Sequence, residues 1–331
     1  MNAYTGHFDR RAMLWGSAAL LAMGLAGCST KGSSSEGLRI PITGKGESDT
    51  RLLFKHAGLK PAFPVTYSEF QSGHLVVEAF NSGSLDFGGT SEIPPVFAAA
   101  STVQSFRQIA VLRGDVNNQV VLVPKGSSIK TLADLKGKRV GYVRATTSQY
   151  FLIRMLSSVG LGWADIEPVA MTVPDGAAAF SRGSLDAWAI YGFPIQRALA
   201  TEGARVLKTA LGFLSGNYIM SAHVDAIADK QKSEWIASYL GLLQQAYHWA
   251  RENKDRWADI VAAEIGVEVA YVRDQFHNRS ADFELRPVTS EAIRSQQEVA
   301  DVFTQAGLIP KHVDVRQLWV DSFNSVIAKE A

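Results

Sequence analysis

Three consecutive hydroxyl residues, Thr146, Thr147 and Ser148, separate an apolar stretch of the chain from an amphipathic one. The segment 139–143 is short and largely apolar, which predicts a buried strand. From Tyr150 onward the apolar residues recur at the spacing of a helix. A helix that begins just after a parallel strand presents free backbone N–H groups, and its dipole favours negative charge. Hydroxyl side chains add further donors, so this turn is a candidate site for a small oxyanion. The alternative is that one hydroxyl simply caps the helix.

Predicted strands and helices alternate along most of the chain. The strands are expected at residues 38–42, 63–67, 85–87, 106–112, 120–123, 139–143, 166–171, 185–190 and 217–222. Helices are expected between most of these strands, and the chain becomes mainly helical from residue 230 onward. Alternation with short connections predicts an α/β fold with a mainly parallel sheet.

The pattern A-F-x-x-G-S-L-D occurs at residues 79–86 and again at residues 179–186, which places the two copies 100 residues apart. In each copy a glycine is expected to end a helix in the left-handed conformation, before a buried strand begins. Asp86 and Asp186 are expected to stabilise this helix–strand corner. Such corners are common in α/β proteins, but two near-identical copies favour two similarly built lobes.

The start of the chain predicts export and a lipid anchor. His7, Arg10 and Arg11 precede an apolar run at residues 12–26 that is too short to cross a membrane, which is typical of a signal peptide over residues 1–27. Residues 25–28, Leu-Ala-Gly-Cys, resemble a bacterial lipoprotein box, so Cys28 is expected to be lipidated, with a flexible linker over residues 28–37. Cys28 is the single cysteine of the sequence and cannot form an internal disulfide. The arginine pair leaves twin-arginine export open as an alternative route.

Charge and composition limit the classes of partner. The 33 basic and 32 acidic residues give a net charge of +1, which argues against a nucleic-acid partner. The histidines are scattered without metal-ligand spacing, so neither a metal nor a cofactor is expected. The aromatic residues of the C-terminal helices are predicted to form core and inter-helix contacts: Trp235, Tyr239, Tyr247, Trp249 and Trp257.

Several segments resemble, in the right order, the solute-binding proteins of ABC importers for nitrate, sulfonate and taurine, and in particular the aliphatic-sulfonate branch. They include GSLDFG at 83–88, PPVFA at 94–98, IKTLADLKGKRV at 129–140 and GSLDAW at 183–188. The resemblance implies a two-lobed periplasmic-binding-protein-like α/β fold of type II. Each lobe would be a mainly parallel sheet flanked by helices, and the C-terminal region would be helical. The first lobe would comprise residues 38–120 plus 218–331, and the second lobe residues 121–217.

The same resemblance implies a monomeric, exported lipoprotein of sulfur metabolism that is not an enzyme. It would capture a small sulfonate-like anion in the periplasm, or at the outer face of the cell membrane, and deliver it to the permease of an ABC transporter. A ligand that touches both lobes stabilises the closed state only through tighter binding to that state.

The resemblance also implies a cleft between the lobes that is lined by strand ends and helix starts. The expected ligand-binding residues are Thr43, Lys45, Ser72, Gly73, Thr90, Ser91, Glu92, Arg144, Thr146, Thr147, Ser148, Tyr191 and Phe193. Glu92 is expected either to meet a ligand amine or to cap a helix. Lys45 and Arg144 are expected either to add positive potential to the cleft or to be solvated surface residues.

Two loops depart from the family pattern. Residues 145–149 read ATTSQ, whereas relatives usually carry a Gly-Ser-Ser-type turn followed by histidine. Residues 191–194 read YGFP, without the acid that the family usually shows at this point. These departures predict a pocket suited to a larger or aromatic tail that contacts Tyr191 and Phe193.

Other functions stay open at this point. The ligand of such a binding protein could be taurine, nitrate or a pyrimidine precursor. A ferric-ion binder would use paired tyrosines, for which Tyr191 and Tyr218 are candidates. An enzyme of related fold would require clustered histidine, cysteine and cofactor-binding residues. A lipoprotein that senses a solute would have the same sequence features as a transport protein.

Overall fold

The computed structural model describes residues 37–100 and 105–328, so the predicted signal peptide, Cys28 and most of the linker lie outside the described residues. The strands are β1 (Leu38–Thr43), β2 (Val65–Phe70), β3 (Phe87–Ser91), β4 (Phe106–Arg113), β5 (Gln119–Val123), β6 (Arg139–Tyr142), β7 (Glu167–Ala170), β8 (Ala187–Tyr191), β9 (Arg205–Thr209), β10 (Asn217–His223) and β11 (Glu284–Arg286).

The helices lie between these strands and then dominate the C-terminal region. They are α1 (Thr50–Ala57), α2 (Gly73–Asn81), α3 (Pro94–Ala99), α4 (Thr147–Ser157), α5 (Val173–Ser181), α6 (Pro194–Glu202), α7 (Val224–Ala228), α8 (Lys230–Glu252), α9 (Lys254–Ile265), α10 (Val269–His277), α11 (Ser290–Gln305) and α12 (Asn324–Ala328). Among the described residues, none of these helices combines the length and apolar character needed to cross a membrane.

The strands form a two-stranded sheet of β1 and β2, a four-stranded sheet in the order β11-β4-β10-β3 and a five-stranded sheet in the order β7-β6-β8-β5-β9. The expectation of mainly parallel sheets is wrong in detail, because every pairing of the four-stranded sheet is antiparallel. In the five-stranded sheet β6 pairs in parallel with β7 and β8, whereas β5 pairs antiparallel with β8 and β9. Strands β5 and β10 carry the chain between the two larger sheets and run against their neighbours, and β11 adds a further antiparallel strand at the edge next to β4.

The order of elements in the first third of the structure is repeated about 100 residues later. The succession β1-α1-β2-α2-β3-α3-β4 is followed by β6-α4-β7-α5-β8-α6-β9. Within this repeat, α2 and α5 begin at Gly73 and Val173, and α3 and α6 begin at Pro94 and Pro194. The duplicated corner motif of the sequence therefore belongs to a repeat of the whole α/β unit.

Strand β3 is displaced from the predicted strand at residues 85–87, since it begins at Phe87 and continues through Gly88 and Gly89, which pair in the sheet. Gly88 and Gly89 lie opposite Ser221 and Met220 of β10. A Cβ atom at Gly88 would lie 2.3 Å from Cδ of Pro41 in β1, so glycine permits the close approach of these two strands. The same approach brings β1 and β3 side by side at the edge where the candidate site lies.

The long helix α8 packs on the four-stranded sheet and contributes to the main hydrophobic core. Ile236, Tyr239, Leu240 and Leu243 are buried along one face of this helix. Helix α9 adds Trp257, which is fully buried and packs edge-on to Trp249 of α8. Burial of such side chains stabilises the fold by roughly 1.5–3 kcal/mol each, and it fixes α8 and α9 above the sheet.

Candidate functional site

A cavity of about 240 Å³ is bordered by loops and helices that follow strands of both larger sheets. The polar and glycine residues of its lining include Thr43, Lys45, Glu47, Ser48, Thr50, Gly73, Gly89, Thr90, Ser91, Asn118, Gln119, Thr146, Thr147, Gly192, Gln196 and Gln275. The apolar and aromatic residues are Pro41, Pro94, Leu112, Tyr191, Phe193, Tyr218, Met220, Leu243, Tyr247, Val261, Ile265 and Phe283. Most of the predicted ligand-binding residues therefore meet at one cavity.

The hydroxyl turn before α4 is folded by its own side chains. Thr146 donates through Oγ1 to the carbonyl of Val143 at 2.8 Å, and Oγ of Ser148 accepts from the N–H of Val143 at 2.9 Å. Ala145 has a positive φ of 56°, and its N–H donates to Oε1 of Gln149 at 2.7 Å. The turn is thus held in a conformation that costs a non-glycine residue roughly 1–2 kcal/mol.

This geometry changes the roles expected for the three hydroxyl residues. Helix α4 begins at Thr147 rather than near Tyr150, and the N-cap residue Thr146 makes no side-chain cap hydrogen bond. The alternative of a simple hydroxyl cap is therefore wrong. Thr146 and Thr147 line the cavity, whereas Ser148 is buried outside the lining and its hydroxyl bonds the loop backbone.

Helix α2 presents its first turn to the same cavity. Its N-cap Ser72 makes no side-chain cap bond and lies outside the lining, whereas Gly73 belongs to the lining. A Cβ at Gly73 would lie 3.3 Å from Cβ of Thr90 and 3.1 Å from Cγ of Pro94, so glycine allows the close packing found here. The hydroxyl of Thr90 donates through Oγ1 to the carbonyl oxygen of the next residue, Ser91, at 2.8 Å.

Two helix starts therefore face one cavity, α2 from the side of β2 and β3 and α4 from the side of β6. Each start offers backbone N–H groups without partners inside its helix and the positive end of a helix dipole. Donors of this kind can bind an oxyanion without a neutralising side chain.

Charged groups are sparse in the cavity wall. Among the described lining residues, Lys45 is the only cation and Glu47 the only anion. Burial raises the pKa of Glu47, and the charge of Arg279, whose Nη2 donates to Oε1 at 2.7 Å, opposes this shift. Lys45 is exposed beside the cavity, whereas Arg144 is exposed and lies outside its lining.

The position of Glu92 fits neither of its two predicted roles, which were contact with a ligand amine and capping of a helix. The residue is buried outside the cavity lining and accepts hydrogen bonds from the hydroxyls of Ser215 and Ser295. It does not cap α3, whose N-cap position is Ile93. Burial raises the pKa of Glu92 to about 7, although the bonds from Ser215, Ser295 and Asn217 oppose the shift. Glu92 therefore belongs to a buried polar network between β3, β10 and α11.

Tyr191 and Phe193, at the end of β8, both line the cavity as expected. Burial raises the pKa of Tyr191 to about 12, and the hydroxyl of Thr146 opposes this shift. The phenol is therefore a neutral hydrogen-bonding group at physiological pH. The other tyrosine considered for a ferric site, Tyr218, donates through its hydroxyl to the carbonyl of Asp115 at 2.9 Å. Within the part of the chain that the structure describes, no group of three or more His, Cys, Asp or Glu side chains is arranged to hold a metal ion.

Sequence reasoning missed four amide side chains of the cavity, Asn118, Gln119, Gln196 and Gln275. Gln119 donates through Nε2 to the Tyr218 hydroxyl at 3.0 Å, and Gln196 donates through Nε2 to Oδ1 of Asn118 at 3.3 Å. These residues belong to no recognisable motif. The available signal was their position, since Asn118 directly precedes β5, Gln119 is its first residue and Gln196 lies in the first turn of α6.

Sequence reasoning also missed the apolar side of the cavity. Leu243 and Tyr247 of α8 and Val261 and Ile265 of α9 line it, together with Phe283, which lies just before β11. Tyr247 packs against the main hydrophobic core, as expected, and also lines the cavity. The i,i+4 spacing of these pairs is the spacing of core residues, so the pattern gave no separate signal.

Comparison with known proteins places this geometry in a family. Residues 53–256 match the family described as NMT1/THI5 like. A protein of Escherichia coli (strain K12), whose name describes it as an aliphatic sulfonates-binding protein, is 33% identical over 292 residues, which cover 87% of this chain and 90% of that protein.

Solved structures give the same relationship. The alkanesulfonate-binding protein SsuA from Xanthomonas axonopodis pv. citri, bound to MOPS, is 28% identical with a TM-score of 0.76 over 87% of this chain and 99% of its own. The periplasmic aliphatic sulphonate binding protein SsuA from Escherichia coli is 31% identical, with a TM-score of 0.73 over 86% of this chain and 97% of its own. The desulfurization enzyme DSZB, 15% identical with a TM-score of 0.61, shares the fold alone.

The expected fold class and family are confirmed by these matches, and the relatives with the higher identity are binding proteins by name. The chain therefore belongs to the NMT1/THI5-like family and has the periplasmic-binding-protein-like α/β fold of the sulfonate-binding proteins.

Proposed function

We propose that this protein is an extracytoplasmic solute-binding protein that captures a small organic sulfonate, or a related anion, and delivers it to an ABC importer. The observation that carries the proposal is the meeting of two helix starts, Gly73 of α2 and Thr147 of α4, at one cavity with few charges. Relatives named for sulfonate binding over most of their length support the same ligand class.

The chemistry of a sulfonate fits neutral donors. A sulfonate stays ionised throughout the physiological pH range, and its three oxygens accept several N–H and O–H hydrogen bonds. We assign the anion-binding role to the backbone N–H groups around Gly73 and Thr147 and to the hydroxyls of Ser91 and Thr147, because the hydroxyls of Thr90 and Thr146 already donate to the carbonyls of Ser91 and Val143. The Tyr191 hydroxyl is a further neutral donor, since burial keeps its pKa near 12.

Transport requires a shape that depends on the ligand. We propose two lobes, residues 38–120 plus 218–331 and residues 121–217, joined by the connections that enter β5 and β10. A ligand held by Ser91 on one side and Thr147 on the other favours the closed arrangement in proportion to its extra affinity for that state. The permease of the transporter would then recognise the closed form.

Anchoring and export are part of the same proposal. The signal sequence and the single cysteine, Cys28, support a lipoprotein held at a membrane surface outside the cytoplasm. An enzyme is not proposed, because the described cavity lining contains neither histidine nor cysteine for nucleophilic or acid–base chemistry. Substitution of Cys28 by serine is expected to release the protein from the membrane fraction.

The test is titration calorimetry with ethanesulfonate, taurine, MOPS, sulfate and nitrate, supported by thermal unfolding. A ligand present at 100 times its Kd stabilises the folded state by about 2.7 kcal/mol. We expect at least one sulfonate to bind at micromolar concentration or below and to raise the melting temperature. Failure of every sulfonate to bind, or preferential binding of nitrate, would contradict the proposed ligand class.

A further inference from the structure

We propose that the ligand is a sulfonate with a single negative charge and a bulky apolar tail, and that aromatic-ring tails are preferred. This inference rests on the proposed function, because it assigns the part of the cavity that the anionic group does not occupy. The surface involved is named the tail wall, and its residues are Leu243, Tyr247, Val261, Ile265 and Phe283.

The tail wall is a continuous apolar surface. The rings of Tyr247 and Phe283 are stacked, with centroids 5.6 Å apart and planes 27° from parallel. Tyr218 packs against the other side of this pair, with its centroid 5.6 Å from that of Phe283. Val261 and Ile265 meet the loop at Gly46, where a Cβ atom would lie 3.0 Å from either side chain. An aromatic ring placed here gains stacked or edge contacts in addition to apolar burial.

The cavity has room for such a tail. Its volume is about 240 Å³, and a water-sized group occupies about 10–15 Å³ by this measure. The four heavy atoms of a sulfonate group therefore use roughly 60 Å³. The remaining volume, roughly 180 Å³, exceeds what a two-carbon tail such as that of ethanesulfonate needs, and the tail wall borders the same cavity.

The charges around Glu47 disfavour a second anionic group on the ligand tail. Glu47 lines the cavity, and its cationic partner Arg279 is engaged, since it also donates through Nη1 to Oδ1 of Asp282 at 3.4 Å. Gln275 adds a neutral amide, with Nε2 at 3.4 Å from Oε2 of Glu47. A carboxylate on the ligand tail near Glu47 would meet a carboxylate whose cationic partner, Arg279, is already shared with Asp282, whereas an uncharged ring meets no such penalty.

The first experiment compares four probes by calorimetry: ethanesulfonate, hexanesulfonate, toluene-4-sulfonate and 4-sulfobenzoate. Each buried methylene is worth up to about fourfold in affinity. We expect hexanesulfonate and toluene-4-sulfonate to bind at least tenfold more tightly than ethanesulfonate. We expect 4-sulfobenzoate, which has the same ring with an added carboxylate, to bind at least tenfold more weakly than toluene-4-sulfonate.

The second experiment uses the ratio of the toluene-4-sulfonate and ethanesulfonate affinities in variants. Phe283→Ala, which removes a ring of the tail wall, and Ile265→Phe, which fills its space, are both expected to lower this ratio at least fivefold. The matched control is Phe63→Ala, because Phe63 stacks on Trp235 at 5.3 Å in the same hydrophobic core but lies outside the cavity lining. This control is expected to keep the wild-type ratio.

The outcomes separate the two proposals. Equal affinity for ethanesulfonate and toluene-4-sulfonate, or tight binding of 4-sulfobenzoate, overturns the assignment of the tail wall while the binding function stands. An unchanged ratio in both Phe283→Ala and Ile265→Phe overturns it as well. Absence of binding by all four probes contradicts the proposed function itself.

Discussion

Arg39 binds the carboxylate of Asp86 with its backbone N–H, its Nε and its Nη2, at 2.9, 2.9 and 2.8 Å, and so ties β1 to the start of β3. The same three bonds recur 100 residues later between Arg139 and Asp186, at 2.8, 3.2 and 3.0 Å. In both copies the arginine also donates to the carbonyl of the helix-ending glycine. The repeated sequence motif therefore forms the same cross-link twice. One copy ties β1 to the start of β3, and the other ties β6 to the start of β8.

The two copies differ in burial, and this difference predicts unequal stabilities. Asp86 is 2% exposed and also accepts from Lys232 at 2.7 Å, whereas the Asp186 side chain is 33% exposed. Burial alone would raise the pKa of Asp86, but the bonds from Arg39 and Lys232 lower it to about 2. We expect Asp86→Asn to lower the free energy of unfolding by about 2 kcal/mol at pH 7, and Asp186→Asn by less than about 1 kcal/mol.

Urea unfolding at pH 7 measures both losses with one protocol. Because the folded-state pKa of Asp86 is depressed, its contribution is present above pH 4 and is lost as the pH falls towards 2. Equal losses in the two variants would mean that the cross-links are equivalent despite their different burial.

The buried carboxyl group of Glu92 is expected to make the protein less stable as the pH rises, which is opposite to the effect of Asp86. Burial raises its pKa to about 7 in the folded state, from an ordinary value of 4.5. The folded protein therefore binds a proton that the unfolded chain releases, and this contribution to stability is lost as the pH rises through 7. At about 1.36 kcal/mol per pKa unit, the wild type should lose about 2–3 kcal/mol relative to Glu92→Gln between pH 5 and pH 8.

Urea unfolding at several pH values tests this expectation. The Glu92→Gln variant keeps one oxygen that accepts from one of the two serines, and its NH2 group can donate to the hydroxyl oxygen of the other, so its fold should persist. Glu291→Gln is the control, because Glu291 is exposed at the start of α11 and should leave the pH profile of the wild type unchanged. Parallel profiles for the wild type and Glu92→Gln would show that Glu92 is ionised throughout this range.

The features predicted correctly from the sequence are local ones. The alternation of strands and helices and the corner glycines follow from spacing and backbone conformation within about ten residues. Strand direction was harder to predict, because β10 inserts between β3 and β4 after the chain has passed through the other sheet. Residues 217–222 carry no pattern that identifies the strands with which this segment pairs.

The candidate site shows the same division between local and distant information. Gly73, Thr90 and Thr147 were identified because helix starts after strands have a recognisable pattern. Glu92 was misassigned, since its partners Ser215 and Ser295 are 123 and 203 residues away in sequence. The tail wall was missed because an apolar i,i+4 pair has the same appearance whether it faces a core or a cavity.

The Thr147 hydroxyl is expected to contribute directly to ligand affinity. It lines the cavity and has no hydrogen-bond partner among the residues that the structure describes. A hydrogen bond to a charged group is worth about 1.5–3 kcal/mol, so Thr147→Val should weaken sulfonate binding roughly 10- to 100-fold in calorimetry. Thr201→Val is the control, because the Thr201 hydroxyl bonds the carbonyl of Arg197 on the exposed face of α6. Equal affinities of both variants would remove Thr147 from the site.

Lys45 and Arg144 form a matched pair for testing the role of charge at the cavity. Both side chains are exposed, but Lys45 belongs to the cavity lining and Arg144 does not. An exposed cation near a bound anion contributes up to about 1 kcal/mol, and salt screens this contribution. Lys45→Met should therefore weaken sulfonate binding by up to about fivefold at low ionic strength, and the difference from the wild type should shrink at 0.5 M salt. Arg144→Met should leave the affinity unchanged at both salt concentrations. A larger loss in Arg144→Met than in Lys45→Met would place the anion nearer to the loop before α4 than the present assignment allows.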